Sequence, residues 1–397
     1  MLAGGAARGA YEVGVVQYVA EEVARELGRP VPFDIICGTS VGALNACGLA
    51  AFADEGAGAI KRLLDVWASL DLESLVRPDV RGVLGMGARL LGRADPIEVP
   101  VREGGLLDPD GLERLIGLKI PFSRIPDNLR KGHLQALTVS TTHVATGRTV
   151  VFVQRHAAGL PPWSNDPTIE PRAAAILLAH AMASAAVPIL FRAVKIDGEF
   201  HCDGGLRQNV PLSPARRLGA DGVLVINPRY IATRALDEGT EKADDAFPGP
   251  LFLLGKTLNA LLLDRIDTDL ARVESINRML AAGAVVYGKE FLPRINEALG
   301  RSPERGFRPM RTLLVRASED IGMLAAQFVR SKEFNRTAGV TVRLMRRLAD
   351  REARSESDLL SYVLFDGRFA AQLVELGRSD AKKKHVELCE FVHAMMA

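Results

Sequence analysis

The sequence predicts an α/β fold: a mostly parallel central sheet flanked by helices over residues 1–230, with a mainly helical C-terminal extension over residues 231–397 packed on that domain. Three observations carry this. Strand-like and helix-like segments alternate through the first half of the chain. Apolar runs such as Val223-Leu224-Val225-Ile226 have the unbroken character of strands buried on both faces. After Tyr230 the texture turns charged and then helical, with one strand candidate at Thr312 to Arg316.

Taken in order, Ala10 to Leu27 is a helix that sets Val16, Val19, Val23 and Leu27 on one face. Phe33 to Cys37 is a short apolar strand, and Val41 to Phe52 a small-residue helix. His133 to Ser140 and Thr149 to Gln154 read as strands around a Thr146-Gly147-Arg148 turn. Ala173 to Phe191 is Ala-rich and interrupted by His180, Ser184 and Pro188, so a buried helix ending before Pro188 is expected rather than a membrane span. Phe200-His201-Cys202 is a short strand, and Ala232 to Pro250 is a linker or surface loop.

Composition narrows the functional classes. The chain has 397 residues, 48% hydrophobic and 25% charged, the balance of a globular protein with a sizeable core. A net charge of +2 argues against a nucleic-acid footprint. Cys37, Cys47, Cys202 and Cys389 lie far apart, without CxxC or zinc spacing, as reduced thiols in a cytoplasmic protein do. No metal motif and no cofactor-binding motif stands out, and the N-terminus lacks the basic and apolar regions of a secretory signal.

Gly38-Thr39-Ser40-Val41-Gly42 joins a strand to a helix, and G-x-S-x-G gains weight from that context. A serine on such an elbow needs unusual backbone angles, and flanking glycines remove the Cβ clashes that would block the turn. The helix N-terminus then favours negative charge beside Ser40. A glycine-rich turn with an N-cap serine is the bland reading.

Gly4-Gly5-Ala6-Ala7-Arg8-Gly9 leads into the first helix, and consecutive small residues leave backbone N–H groups open to an oxyanion. A dinucleotide loop fits poorly, since Ala6 breaks the glycine pattern and no acidic residue ends the second strand. Arg8 either stabilises an oxyanion or lipid phosphate, or pins the loop through a salt bridge.

Ser40 needs a proton acceptor. A histidine following the acid in chain order is restricted to His385 and His393, which lie in the terminal helical stretch beside lysines. His180 reads as a core histidine, and His133, His143 and His156 as surface residues. His201 shares a strand face with Asp203 and is a minor candidate. Asp203-Gly204-Gly205 puts a carboxylate at the head of a sharp turn, where partial burial would raise its pKa and make it a better base.

These elements, in this order, resemble the patatin-like phospholipase family. Gly4 to Gly9 matches its oxyanion motif, Gly38 to Gly42 its nucleophile motif and Asp203-Gly204-Gly205 its D-G-A/G motif. Ala183 to Phe191 looks like its A-S-x-A-x-P-x-x-F segment, and Asn209-Val210-Pro211 is also family-like. The resemblance covers roughly residues 1–230. It implies a three-layer fold, a Ser40–Asp203 dyad without a metal, an acyl-enzyme intermediate and lipid or fatty-acyl esters as substrates. Ala6 stands where the family has a third glycine, which suits the loop if its φ is negative. The family also has a strand before the loop, where this sequence has only Met1-Leu2-Ala3; the expectation is a translation start further upstream.

Peripheral membrane contact is implied by the resemblance rather than by particular segments. Val83 to Leu91, Leu251 to Leu263 and the Lys382-Lys383-Lys384 run are each better read as core or solvated helix. Two alternatives stay open: a thioesterase or acyltransferase using the same dyad, and a non-catalytic nucleotide- or protein-binding module on the same fold. Head group, cut position and oligomeric state leave no mark in the sequence.

Overall fold

The computed structural model describes residues 1–75, 77–78, 105, 107–157, 159–163, 166–207, 212–231, 266–300, 306–332, 334 and 358–396. Asn209 to Pro211, Val83 to Leu91, Ala232 to Pro250 and Leu251 to Leu263 lie outside them. A central sheet has helices on both faces, with further helices from the C-terminal part. Strand β4 (Ala136–His143) organises it. On one side it pairs antiparallel with β5 (Thr149–Arg155), which pairs parallel with β6 (Ile169–Ala173). The β4–β5 turn reverses at Gly147, where φ is 65°.

Along its other side β4 has two partners. Its first half pairs parallel with β1 (Ile35–Thr39), and its last three residues pair antiparallel with β8 (Glu199–Asp203). β8 in turn pairs with β7 (Val194–Ile196), while the short β2 (Arg77–Pro78) and β3 (Leu107–Asp108) form a separate antiparallel pair. Beyond β1 the sheet continues through Leu2, which bridges in parallel to Gly38 and to Ile226. Then come β9 (Gly222–Asn227) and its parallel neighbour β10 (Arg311–Arg316). The parallel core thus runs β4, β1, Leu2, β9, β10, and the antiparallel pairings sit at β5 and the β7–β8 hairpin. The short Met1–Ala3 segment is tied on both sides: Leu2 N–H donates to Cys37 O at 2.9 Å and Ala3 N–H to Ile226 O at 3.2 Å.

Alternation along β9 divides the core. Val223 and Val225 join Ala3, Cys37, Ile266 and Leu270 on one face, while Ile226 joins Ile36, Val139 and Phe152 on the other. Helix α1 (Ala10–Tyr18) continues through a wider turn at Val19–Val23 to Glu26, close to the predicted span. It is buried almost all round, because α11 (Gly367–Lys383) covers the face that the sheet does not. Small residues permit the contact: a Cβ on Gly14 would sit 2.0 Å from the Val374 carbonyl oxygen, and one on Gly377 2.1 Å from that of Tyr11. Tyr11 Oη also donates to Asp380 Oδ2 at 3.2 Å.

Further helices are α2 (Val41–Ala51), α3 (Ala57–Ala68), α4 (Asp110–Lys119), α5 (Leu178–Ser184), α6 (Leu212–Arg217), α7 (Ile266–Tyr287), α8 (Phe291–Ala298), α9 (Ile321–Arg330), α10 (Asp358–Val363) and α12 (His385–Met396). The expected helix from Ala173 to Pro188 is much shorter than its composition suggests. β6 claims Ala173, and the Ile176 N–H is held by Gln154 Oε1 at 2.8 Å, so the chain stays extended until Leu178. Among the described residues, no helix is long and apolar enough to cross a membrane. Lys383 and Lys384 are ion-paired with Asp380 and Glu387, as on a solvated helix end.

The α1–α11 crossing gives a test with a sign. In an isolated helix Gly14→Ala would stabilise by about 1 kcal/mol through propensity. Here the new methyl meets a backbone carbonyl, so we expect a net loss of about 1–3 kcal/mol in urea unfolding. A Gly14→Ala protein as stable as the parent would contradict this packing.

Candidate functional site

Register on β4 brings the two predicted residues together. β1 ends with Thr39 opposite Ser140, and β8 ends with Asp203 opposite Thr141. Two strands arriving from opposite directions therefore stop at neighbouring positions of one edge. The residue after Thr39 is Ser40, and its Oγ donates to Asp203 Oδ2 at 2.6 Å. Ser40 is 1% exposed and Asp203 0%.

Ser40 holds φ 55° and ψ −130°, a conformation that costs a residue with a side chain on the order of 1–3 kcal/mol. Three bonds hold it there. Its N–H donates to Ser184 Oγ at 2.9 Å, and its carbonyl accepts from Ala43 N–H at 2.9 Å. The third is the bond to Asp203. Ser184 Oγ itself donates to Ser140 O at 2.6 Å, fastening α5 to the sheet. The flanking glycines serve space rather than φ, for neither has a positive φ. A Cβ on Gly38 would meet Gly42 O at 2.3 Å, and one on Gly42 would meet Leu2 O at 2.3 Å.

Asp203 is held as firmly. Its Oδ1 accepts from Gly205 N–H at 2.7 Å, its N–H donates to Ala186 O at 2.9 Å, and its carbonyl accepts from Thr142 Oγ1 at 2.9 Å. Gly204 and Gly205 begin a tight turn ending at Leu206. Burial pushes the Asp203 carboxyl up to about 7, against the lowering effect of its bonds from Ser40 and Gly205. Close by, exposed Ile189 has φ 73°, rare for a β-branched residue, in the turn that follows Ala186.

No histidine is hydrogen-bonded to Ser40 or Asp203 among the described residues. His201 does share the face of Asp203, but its Nδ1 faces Thr141 Oγ1 at 3.0 Å, and burial drives its pKa down to about 4. His180 is a core residue against Phe152, with Nδ1 accepting from Leu177 N–H at 3.1 Å. His385 lies beside Tyr18.

The loop Gly4, Gly5, Ala6, Ala7, Arg8, Gly9 crosses the start of α2. A Cβ on Gly9 would collide with Val41 Cγ2 at 2.6 Å. Residues Ala6–Gly9 form a single tight turn entering α1, so the first amides of that turn have no intrahelical acceptor. The condition of a negative φ at Ala6 is not met: φ is 49°. The loop keeps the left-handed geometry that glycine would supply freely, and alanine holds it at a cost of about 1–2 kcal/mol. Arg8 is buried and pins the loop, with Nε donating to Ser361 Oγ at 2.8 Å and the guanidinium 4.5 Å over the Tyr362 ring.

Residues without a predicted role complete the surroundings. Asn45 Nδ2 donates to Gly9 O at 3.0 Å and to Glu12 Oε2 at 2.8 Å, while its Oδ1 accepts from Trp67 Nε1 at 2.9 Å. Burial raises Glu12 to about 8. Ser184 belongs to the family-like Ala183 to Phe191 segment, whereas Asn45, Ser361 and Tyr362 carry no local signal. Val41, Leu44, Trp67, Leu112 and Phe365 line an apolar crevice on the flank of α2. A larger cavity of about 280 Å³ lies at the far end of the sheet, bordered by Met1, Asp34, Gln135 and Asp221, and includes neither Ser40 nor Asp203.

Fold and site together are an α/β sheet domain with a serine on a strand-to-helix elbow hydrogen-bonded to a buried carboxylate. The patatin-like phospholipase model matches residues 1–216, more than half of the chain, and the chain belongs to that family, a class of lipid ester hydrolases. A cGAMP-activated phospholipase from Pseudomonas aeruginosa (strain BWHPSA011 / Pa011) is 28% identical over 212 residues, 53% of this chain and 53% of that protein. The chain thus matches about half the length of this curated relative.

The raised Asp203 pKa has a consequence for stability. Between the ordinary 3.8 and about 7 the native carboxyl keeps a proton that the unfolded one has lost. The folded state then binds more protons, so this group's contribution falls as pH rises through that window. We expect Asp203→Asn to gain stability relative to the parent as pH goes from 5 to 8. A difference that stays flat, or shrinks, in paired urea titrations would refute the assignment. Glu12 titrates higher and is common to both proteins.

Proposed function

We propose that the protein is a lipid acyl hydrolase of phospholipase A or lysophospholipase type, working through Ser40 and Asp203. The observation that carries this is the 2.6 Å bond between Ser40 Oγ and Asp203 on a strained elbow with no histidine bonded to either among the described residues. Asp203 accepts the hydroxyl proton as Ser40 Oγ attacks the ester carbonyl carbon. A carboxylate near 7 is a far better acceptor than one at 3.8.

The tetrahedral intermediate places negative charge on the former carbonyl oxygen. Amides of the Gly4–Gly9 loop and the N-terminal turn of α2 are the donors for it, and one such donor is typically worth about 100- to 1000-fold in rate. Collapse breaks the ester C–O bond, and Asp203 returns its proton to the leaving alcohol. An acyl ester of Ser40 remains. Water then attacks that ester, giving a proton to Asp203, and the serine leaves with this proton as free fatty acid departs. The side chains that follow Ser40 on α2, Val41 and Leu44, are apolar and face an apolar crevice, which agrees with a lipid rather than a strongly polar substrate. Peripheral contact with a lipid surface follows from this substrate class.

The test pairs Ser40→Ala with a substrate panel of phospholipid, lysophospholipid, triglyceride and acyl-CoA. It is run with and without cGAMP, because the relative's name makes that the first effector to try. The parent should take a fluorophosphonate probe at Ser40 and release fatty acid from a glycerolipid, and Ser40→Ala should do neither. Release from acyl-CoA alone would indicate a thioesterase. In the parent, kcat/KM should rise with pH through about 7 and fall roughly tenfold per unit well below it, since the deprotonated carboxylate is the active form. A flat pH profile from 5 to 8 would remove Asp203 as the base.

A further inference from the structure

We propose that Ser361 and Tyr362 are positioning residues for the oxyanion loop, which makes α10, outside the matched family region, part of the catalytic unit. This rests on the role given above to Gly4–Gly9. The loop's weak point is Ala6, whose φ of 49° is unfavourable for a residue bearing a Cβ. Arg8 N–H donates to Gly5 O at 3.0 Å, closing the turn around Ala6. Whatever fixes Arg8 therefore fixes the orientation of the peptides on both sides of Ala6.

Two contacts that hold the Arg8 side chain come from α10, 353 positions further along the chain at Ser361. Its Nε donates to Ser361 Oγ at 2.8 Å, and its guanidinium lies 4.5 Å over the ring of Tyr362. Arg8 is 4% exposed, Ser361 0% and Tyr362 1%. A buried guanidinium stripped of water holds strongly to a hydroxyl oxygen and an aromatic face, and its planar fork resists rotation. α10 packs along the Ala6–Gly9 turn and is backed by α9. The contact is therefore a rigid strut rather than a surface touch. Without it the loop can relax at Ala6, and its amides swing away from the position of the developing oxyanion.

A positioning role differs from mere stabilisation in what it does to the kinetics. Oxyanion donors act in the transition state, so misplacing them lowers kcat and leaves KM nearly unchanged. The experiment uses the full chain with Tyr362→Leu, Tyr362→Phe and Ser361→Ala, a soluble short-chain ester, and circular dichroism to verify folding. Tyr362→Leu should lose roughly 100-fold in kcat, the scale expected for small displacements of a catalytic group, with KM within about threefold. The rate of fluorophosphonate labelling should drop in parallel. Tyr362→Phe keeps the ring under the guanidinium and should restore most of kcat. Ser361→Ala, which deletes only a hydroxyl, should lower kcat about three- to tenfold.

A folded Tyr362→Leu with parental kcat, or a loss carried by KM, overturns the proposal. Should Tyr362→Leu fail to fold, Ser361→Ala decides, and an unchanged kcat there overturns it equally. Failure of the underlying function looks different: turnover would survive Ser40→Ala, whatever happens at Tyr362.

Discussion

The site depends on one edge of β4 being shared. A strand edge offers a fixed ladder of hydrogen-bonding positions, and here five of them go to β1 and the next three to β8, which arrives from the opposite direction. Neither strand can lengthen into the other, so both must end where they meet. The chain leaves β1 through the Ser40 elbow and leaves β8 through the Gly204-Gly205 turn. Two side chains 163 positions apart become hydrogen-bonded neighbours because the ladder has no spare rung between them. A one-residue slip in either pairing would turn Ser40 or Asp203 to the other face of the sheet.

That constraint operates within crowded backbone. Leu2 and Ala3 fill the place between β1 and β9, close enough to α2 that only glycine fits at position 42. The N-terminal segment, the glycine loop, the elbow and the first turn of α2 are thus packed against one another with almost no intervening side-chain volume. Burial follows directly, and burial is what lifts Asp203. The same crowding extends to α1, which is gripped by α11 through Gly14 and Gly377.

Much of this was legible in the sequence because it is local. G-x-S-x-G and D-G-G name residues whose conformational demands are satisfied within a few positions, and the strands bearing them show in short apolar runs. The core character of His180 could likewise be judged from its neighbours. What the sequence hid is non-local. The Ala-rich stretch from Ala173 has helical composition, yet pairing with β5 claims its first residue and Gln154 holds Ile176 extended. The partners of Arg8 stand in a part of the chain without a motif, and nothing around residue 361 announces a guanidinium. Ala6 shows a further limit: its identity argued for a negative φ, but the turn into α1 and the hold on Arg8 prevail over that preference.

Ser184 gives the arrangement its stiffness. A single hydroxyl receives the elbow's amide and gives its own proton to the carbonyl of Ser140, so helix, strand and the Ser40 elbow meet at one oxygen atom. A joint of that kind leaves no independent hinge: the elbow cannot unwind toward a relaxed conformation while the helix stays seated. The unfavourable torsion at Ser40 is therefore carried by the whole framework, and the hydroxyl is already aimed before any ligand arrives.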